Sequence, residues 1–430
     1  MPPRAHEVII AHAAPRRGRL ALRKWTQLGA TSAEVANPGG LKAARPIGQA
    51  RAQPATPSNR RVSLARPEVR NDDLHSTRSS DHSMTPRERL LRSLRGEAVD
   101  RPPVICPGGM MSMATTSAMR ASGVAWPAAH ADAHAMAGLV FATQAETALE
   151  CLSVPFCMTV EAEALGCRVD LGTDTVHPHV AVEAIGDIAD AERLPGFDPE
   201  HSGRVPVVLE ALRLLRGTGS DYPIIGAVVG PVSLAAMVMD AGLFMRLAIR
   251  DPDAAARLIK RMEQVTLDFA IAQHAAGADC VMIAEPSATG EVLGERHFAR
   301  LASPALARVL AALRERDIPV ILHICGDLRP IVGELRRLAA AAGGAPALSV
   351  DSMVSGRTLR GDLPGCIGIG NVSAFLLERG PVSGIERAAR RAARGFHIVS
   401  PACGLVPTTP AENLRALVST VRETHGSHAT

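Results

Sequence analysis

Val320-Ile321-Leu322-His323-Ile324-Cys325-Gly326-Asp327 is an apolar run that turns polar at its end. Continuous apolar runs of this length are what strands buried on both faces look like. Seven more lie along the chain, at 103–106, 152–156, 224–229, 280–285, 347–351, 366–372 and 397–401. Helical patterns fill the intervals, at 128–149, 206–216, 231–247, 252–276, 296–314, 328–342, 383–393 and 410–423. Eight strand–helix repeats predict an α/β fold, a TIM (β/α)8 barrel; a doubly wound open sheet is the alternative. Residues 167–182 alternate polar and apolar around Gly172 and Asp174, which predicts a small hairpin inserted after the second strand.

A barrel of this kind carries its chemistry at the C-terminal ends of its strands. Those ends read Ala284-Glu285-Pro286, His323-Ile324-Cys325-Gly326-Asp327, Asp351, Asn371 and Ser400-Pro401-Ala402-Cys403. Side chains two apart on a strand share a face, so His323 and Cys325 point the same way at the rim. With Cys403 they offer one imidazole and two thiols, soft ligands that suit zinc. Three protein ligands leave a position open for a substrate. His-x-Cys alone is a common pattern, and the added Cys at the end of the last strand strengthens it. Glu285 is a site residue or a solvated loop carboxylate; Asp351 and Asn371 are site residues or loop caps. Of Glu161 and Glu163, at most one faces the site, because i and i+2 diverge on a helix. His397, at a strand start, reads as structural, and His274, His297, His425 and His428 as solvated.

Hydrophobic residues make up 47% of the 430 residues and aromatics only 3%, so the core is built from Ala, Leu, Val and Ile. Residues 1–83 hold 14 Lys or Arg and six Asp or Glu, which leaves the rest of the chain with a net charge of −4. That surface asks for no nucleic acid. No apolar run reaches the ~18 residues a membrane span needs. Eight cysteines without a C-x-x-C pair read as reduced thiols in the cytoplasm. Residues 1–83, rich in Arg, Ala, Pro and Ser, form no packed core; they are a disordered tail, a transit peptide, or the product of a misassigned start. The last is favoured, because Met84 precedes Thr85-Pro86-Arg87-Glu88, a capping box with Pro at the first helical position. The folded domain is expected over 84–430, opening with an N-terminal helix.

Val154-Pro155-Phe156-Cys157-Met158-Thr159-Val160-Glu161-Ala162-Glu163-Ala164-Leu165-Gly166 resembles the signature of the methylcobamide:coenzyme M methyltransferases, a branch of the uroporphyrinogen decarboxylase superfamily. Residues 101–110 resemble that branch's opening strand, 230–235 its third βα turn and 285–290 its fourth. The branch's zinc motif, His-x-Cys with a distant Cys, is met by His323, Cys325 and Cys403. One departure is Glu285, where members often carry Asp. The true decarboxylases differ further: their first strand leads into an Arg-rich segment that clamps porphyrinogen carboxylates, and 105–113 here contain no Arg.

The resemblance implies zinc-dependent methyl transfer from a methylated corrinoid to a thiol such as coenzyme M. A corrinoid-binding protein is the implied partner, since no Asp-x-His-x-x-Gly segment is present in this chain. It implies His323, Cys325 and Cys403 as metal ligands, and Glu285 as proton acceptor or as a group orienting the metal shell. Asp327 or Asp351 is the implied second partner. Met110, Met158, Glu161 and Asn371 are implied contacts of the corrinoid; for Met110, Met111 and Met113 gap-filling core is the plainer reading. The alternatives are transfer from a small methylated substrate to a corrinoid protein, porphyrinogen decarboxylation, and a non-catalytic thiol or zinc regulator.

Overall fold

The computed structural model describes residues 84–107 and 113–426. Met110 and residues 1–83 lie outside the described residues. Among the described residues there are nine strands: β1 (Leu152–Val154), β2 (Arg168–Asp170), β3 (His179–Val182), β4 (Ile224–Val229), β5 (Cys280–Ala284), β6 (Val320–Ile324), β7 (Ala347–Val350), β8 (Ile367–Val372) and β9 (Ile398–Pro401). Seven of them form one parallel sheet in the order β1-β4-β5-β6-β7-β8-β9, and β2 pairs with β3 as an antiparallel two-stranded unit. Helices connect the parallel neighbours, as parallel pairing requires. The strands of the parallel sheet are almost wholly buried, which is why their sequences are continuous rather than alternating. The architecture is an α/β, TIM-barrel-like curled sheet.

Pro103–Cys106 departs from the expectation of a full strand. Only Val104 bridges, in parallel, to Val399 on β9. Ile105 donates to the Val399 carbonyl, Val399 donates to that of Pro103, and Glu150, just before β1, donates to that of Val104. The segment therefore runs from one sheet edge to the other. It cannot form a longer ladder, because Pro102, Pro103 and Pro107 have no N–H to give.

Helix starts follow local chemistry. Thr85 Oγ accepts from Glu88 N–H ahead of the helix Pro86–Leu94. Asp240 and Asp251 cap the helices Ala241–Arg250 and Pro252–Ala275 in the same way. At the strand N-terminal end, buried Asp279 binds Arg87, Arg216 and the Ile224 N–H. Glu150, fully buried, holds Arg101, Arg422 and the Val104 N–H. These clusters brace the end away from the polar strand termini. No helix among the described residues is long and apolar enough to cross a membrane.

Candidate metal centre

β6 ends on Ile324, and its register sets His323 beside Ala284 of β5 and Ser349 of β7. His323 is fully buried, while Cys325 and Cys403 are half-buried. His323 Nε2 lies 3.1 Å from Cys325 Sγ, and the two sulfurs are 3.8 Å apart. All three ligand atoms fall within 4.8 Å of one another. Zinc bonds of ~2.3 Å to sulfur and ~2.0 Å to nitrogen at a tetrahedral angle require sulfurs ~3.8 Å apart. The sulfur pair meets that edge, and the nitrogen must withdraw by about half an ångström; the donor set fits zinc.

The thiols are unequal. The hydrogen bond from Cys325 holds the Cys403 thiol well below its usual range, against burial, with help from His323 and the Gly404 backbone. That same bond, followed by burial and the charges of Cys403, Asp351 and Glu291, pushes Cys325 up. Behind Cys325 the chain turns at Gly326, whose φ of +73° suits glycine, and a Cβ there would sit 2.6 Å from a Glu291 carboxylate oxygen. Asp351 Oδ2 accepts the Gly326 N–H at 3.3 Å. Asn371 Nδ2 donates to the carbonyls of Asp351 and Val354 and so braces that loop.

Asp327 is not brought to this cluster. The turn at Gly326 carries it outward, where both its oxygens bind Arg329. It lines a rim groove of about 280 Å³ with Met353 and Thr358. Glu285 is fully buried rather than solvated. Its carboxylate accepts from Val232 N–H, Ser233 N–H and Ser233 Oγ–H, at the start of the helix Pro231–Val238. Burial raises its carboxyl to about 7 against those donors. A Cβ on Gly230 would overlap its side chain, so glycine is required there. Its own N–H donates to the His323 carbonyl.

Glu161 is buried and accepts from Val229 N–H at 2.7 Å; burial raises it to about 7. Glu163 turns aside to Arg204. Met158 is half-buried and packs on the core; Met113 is fully buried within it. His397 accepts Gly368 N–H, a structural role. His274 and His297 are half-buried and bond backbone carbonyls rather than standing in solvent. The side chains of His425 and His428 lie outside the described residues.

Two features escape sequence reasoning. Ser349 Oγ lies 3.0 Å from His323 Nδ1, both residues fully buried. Cys157 lies 3.8 Å from Arg204 Nη1 and 3.3 Å from Thr159 Oγ1. Burial would raise that thiol, but His130, Arg204 and Thr159 prevail and lower it to about 6. The motif around Cys157 was a signal; its partners His130 and Arg204 were not, being distant in sequence.

The family model for uroporphyrinogen decarboxylase (URO-D) matches residues 85–424. The methylcobamide:CoM methyltransferase MtbA of Methanosarcina acetivorans is 33% identical over 78% of this chain and 96% of its own length. A solved methyltransferase structure from Methanosarcina mazei superposes with a TM-score of 0.73 at 31% identity, over 79% of this chain and 99% of that one. A uroporphyrinogen decarboxylase of Geobacillus thermodenitrificans, 35% identical, aligns over only 38% of this chain and 47% of its own. With a match that spans the whole described fold and a near full-length methyltransferase relative, this chain belongs to the uroporphyrinogen decarboxylase family, in its methylcobamide:CoM methyltransferase branch.

Proposed function

We propose that this enzyme moves a methyl group from a methylated corrinoid, presented by a separate protein, to a small thiol of the coenzyme M type, in the cytoplasm. The observation that carries the reading is the triangle of His323 Nε2, Cys325 Sγ and Cys403 Sγ, whose sulfur edge of 3.8 Å suits tetrahedral zinc. Zinc, when bound, supplies an open position that holds a thiol as its thiolate at neutral pH. The fold is read as a closed (β/α)8 barrel with Pro103–Cys106 as the eighth stave and β2–β3 as an inserted hairpin.

The chain's own residues divide the remaining work. Cys403 and Cys325, which lie 3.8 Å apart, would hold the metal together with His323. Asp351 fixes the turn after Cys325 through the Gly326 N–H. Asn371 secures the Asp351 loop through its Nδ2. Glu285, raised to about 7 beside the β6 backbone, is the group suited to accept the thiol proton at neutral pH. Glu161 holds the Val229 N–H that opens the neighbouring turn, and Glu161, Met158 and Met110 are the proposed contacts of the corrinoid. Porphyrinogen decarboxylation is disfavoured, since residues 105–113 contain no Arg to clamp the substrate carboxylates.

The test is metal analysis together with a methylcobalamin demethylation assay using coenzyme M, homocysteine and other thiols. One zinc per chain with thiol-dependent Co(I) formation is the expected result. Metal-free protein that releases CO₂ from uroporphyrinogen would overturn it.

A further inference from the structure

His323 and Ser349 are register partners on adjacent parallel strands, so their side chains stand on one face of the sheet. Ser349 interrupts an otherwise apolar strand, Ala347-Leu348-Ser349-Val350, every residue of which is buried. A hydroxyl in such a place must find a hydrogen-bond partner. Its other register partner, Ile369 of β8, offers no side-chain polar atom. Its recorded partner is His323 Nδ1, at 3.0 Å.

We propose that Ser349 is a positioning residue for the metal centre, fixing both the ring orientation and the tautomer of His323; this rests on the zinc reading above. The imidazole has two nitrogens, and Nε2 is the one that faces Cys325 Sγ. For Nε2 to present a lone pair to a metal, Nδ1 must carry the proton, and the serine oxygen is there to accept it. Without that acceptor the proton is free to sit on Nε2 and the ring is free to turn. Neighbouring β7 repeats the spacing of β6: Ser349 supports His323, and Asp351, two residues on, supports the turn that follows Cys325.

The choice of a hydroxyl also has a chemical consequence. A carboxylate in this place would add negative charge behind the imidazole and make it a stronger donor. Two thiolates already neutralise a divalent ion, and an incoming thiolate makes the centre anionic. A neutral support leaves the metal more receptive to that third sulfur.

The experiment compares Ser349→Thr with Ser349→Val in the full chain. The two side chains have nearly one shape and differ by a hydroxyl, so any crowding in the buried strand is shared. Zinc affinity is read by competition with a chromogenic chelator, and the coordination by the visible spectrum of the Co²⁺-substituted protein. The valine variant is expected to bind zinc 10–100-fold more weakly than the threonine variant, with a shifted Co²⁺ spectrum. Ser349→Ala should show the same loss, and the loss should vanish in a His323→Ala background, because the serine acts through the imidazole. Equal affinities in the Thr and Val variants, or the same loss with and without His323, would overturn the proposal. A wild-type chain that binds no zinc would instead overturn the metal reading itself.

Discussion

At the scale of single residues, Cys403 and Gly230 make the sharpest demands. Cys403 reaches the centre from the loop after β9, and its sulfur completes a set that β6 alone cannot supply. Cys403→Ser is expected to lose zinc and methyl transfer while its thermal unfolding stays close to wild type, since the residue is only half-buried. Full zinc content with retained transfer would contradict the assignment. Gly230 is needed for a different reason: Glu285 lies where a Cβ would go. Gly230→Ala should destabilise the chain by about 1–3 kcal/mol, the usual cost of overpacking, as measured by denaturant midpoint. The triad was legible in the sequence because i, i+2 on a strand is a geometric statement and because polar residues at strand ends stand out. Ser349 was not legible, because one serine in an apolar run means nothing until the β6–β7 register is known. Asp327 read as a site residue because it ends the same motif, yet a left-handed turn at Gly326 sends it to Arg329.

At the scale of elements, the apolar runs foretold seven strands, and the prolines around Pro103–Cys106 explain why the remaining one is a single bridge. That segment is held by Glu150, which links Arg101 and the Val104 N–H on one side to Arg422 of the helix Ala411–Gly426 on the other. Burial by itself would raise the Glu150 carboxyl; Arg101, Val104 N–H and Arg422 prevail and hold it below the usual carboxylate range. A depressed folded value means that the stabilisation is present above the ordinary carboxylate pKa of ~4.3 and fades as pH falls through the folded value. Glu150→Gln leaves Arg101 without its charge partner and should cost about 3 kcal/mol near neutrality. The gap in melting temperature between wild type and this variant should narrow as pH drops below about 4. A gap that stays constant across that range would show that the charge on Glu150 contributes nothing to stability.

At the scale of the whole molecule, the family match, residues 85–424, falls on the region that the structure describes from Met84 onward. Thr85 caps the first helix through the Glu88 N–H, and Arg87 within that helix ties to buried Asp279. A truncate beginning at Met84 is therefore expected to fold and to bind zinc as the full chain does; a truncate that aggregates or melts early would assign residues 1–83 a part in the fold. Strand order and the rim placement of polar residues were readable from alternating patterns alone. The Cys157–His130–Arg204 cluster was not, because it joins segments 47 and 74 residues apart and has no periodic trace.

Zinc K-edge absorption on the purified full-length protein is the most direct measurement of the central claim. The account predicts a first shell of one imidazole nitrogen and two sulfurs from His323, Cys325 and Cys403, with a further sulfur appearing when coenzyme M is added. A shell without cysteine sulfur, or one that is unchanged by both the Cys403→Ser substitution and the added thiol, would contradict it.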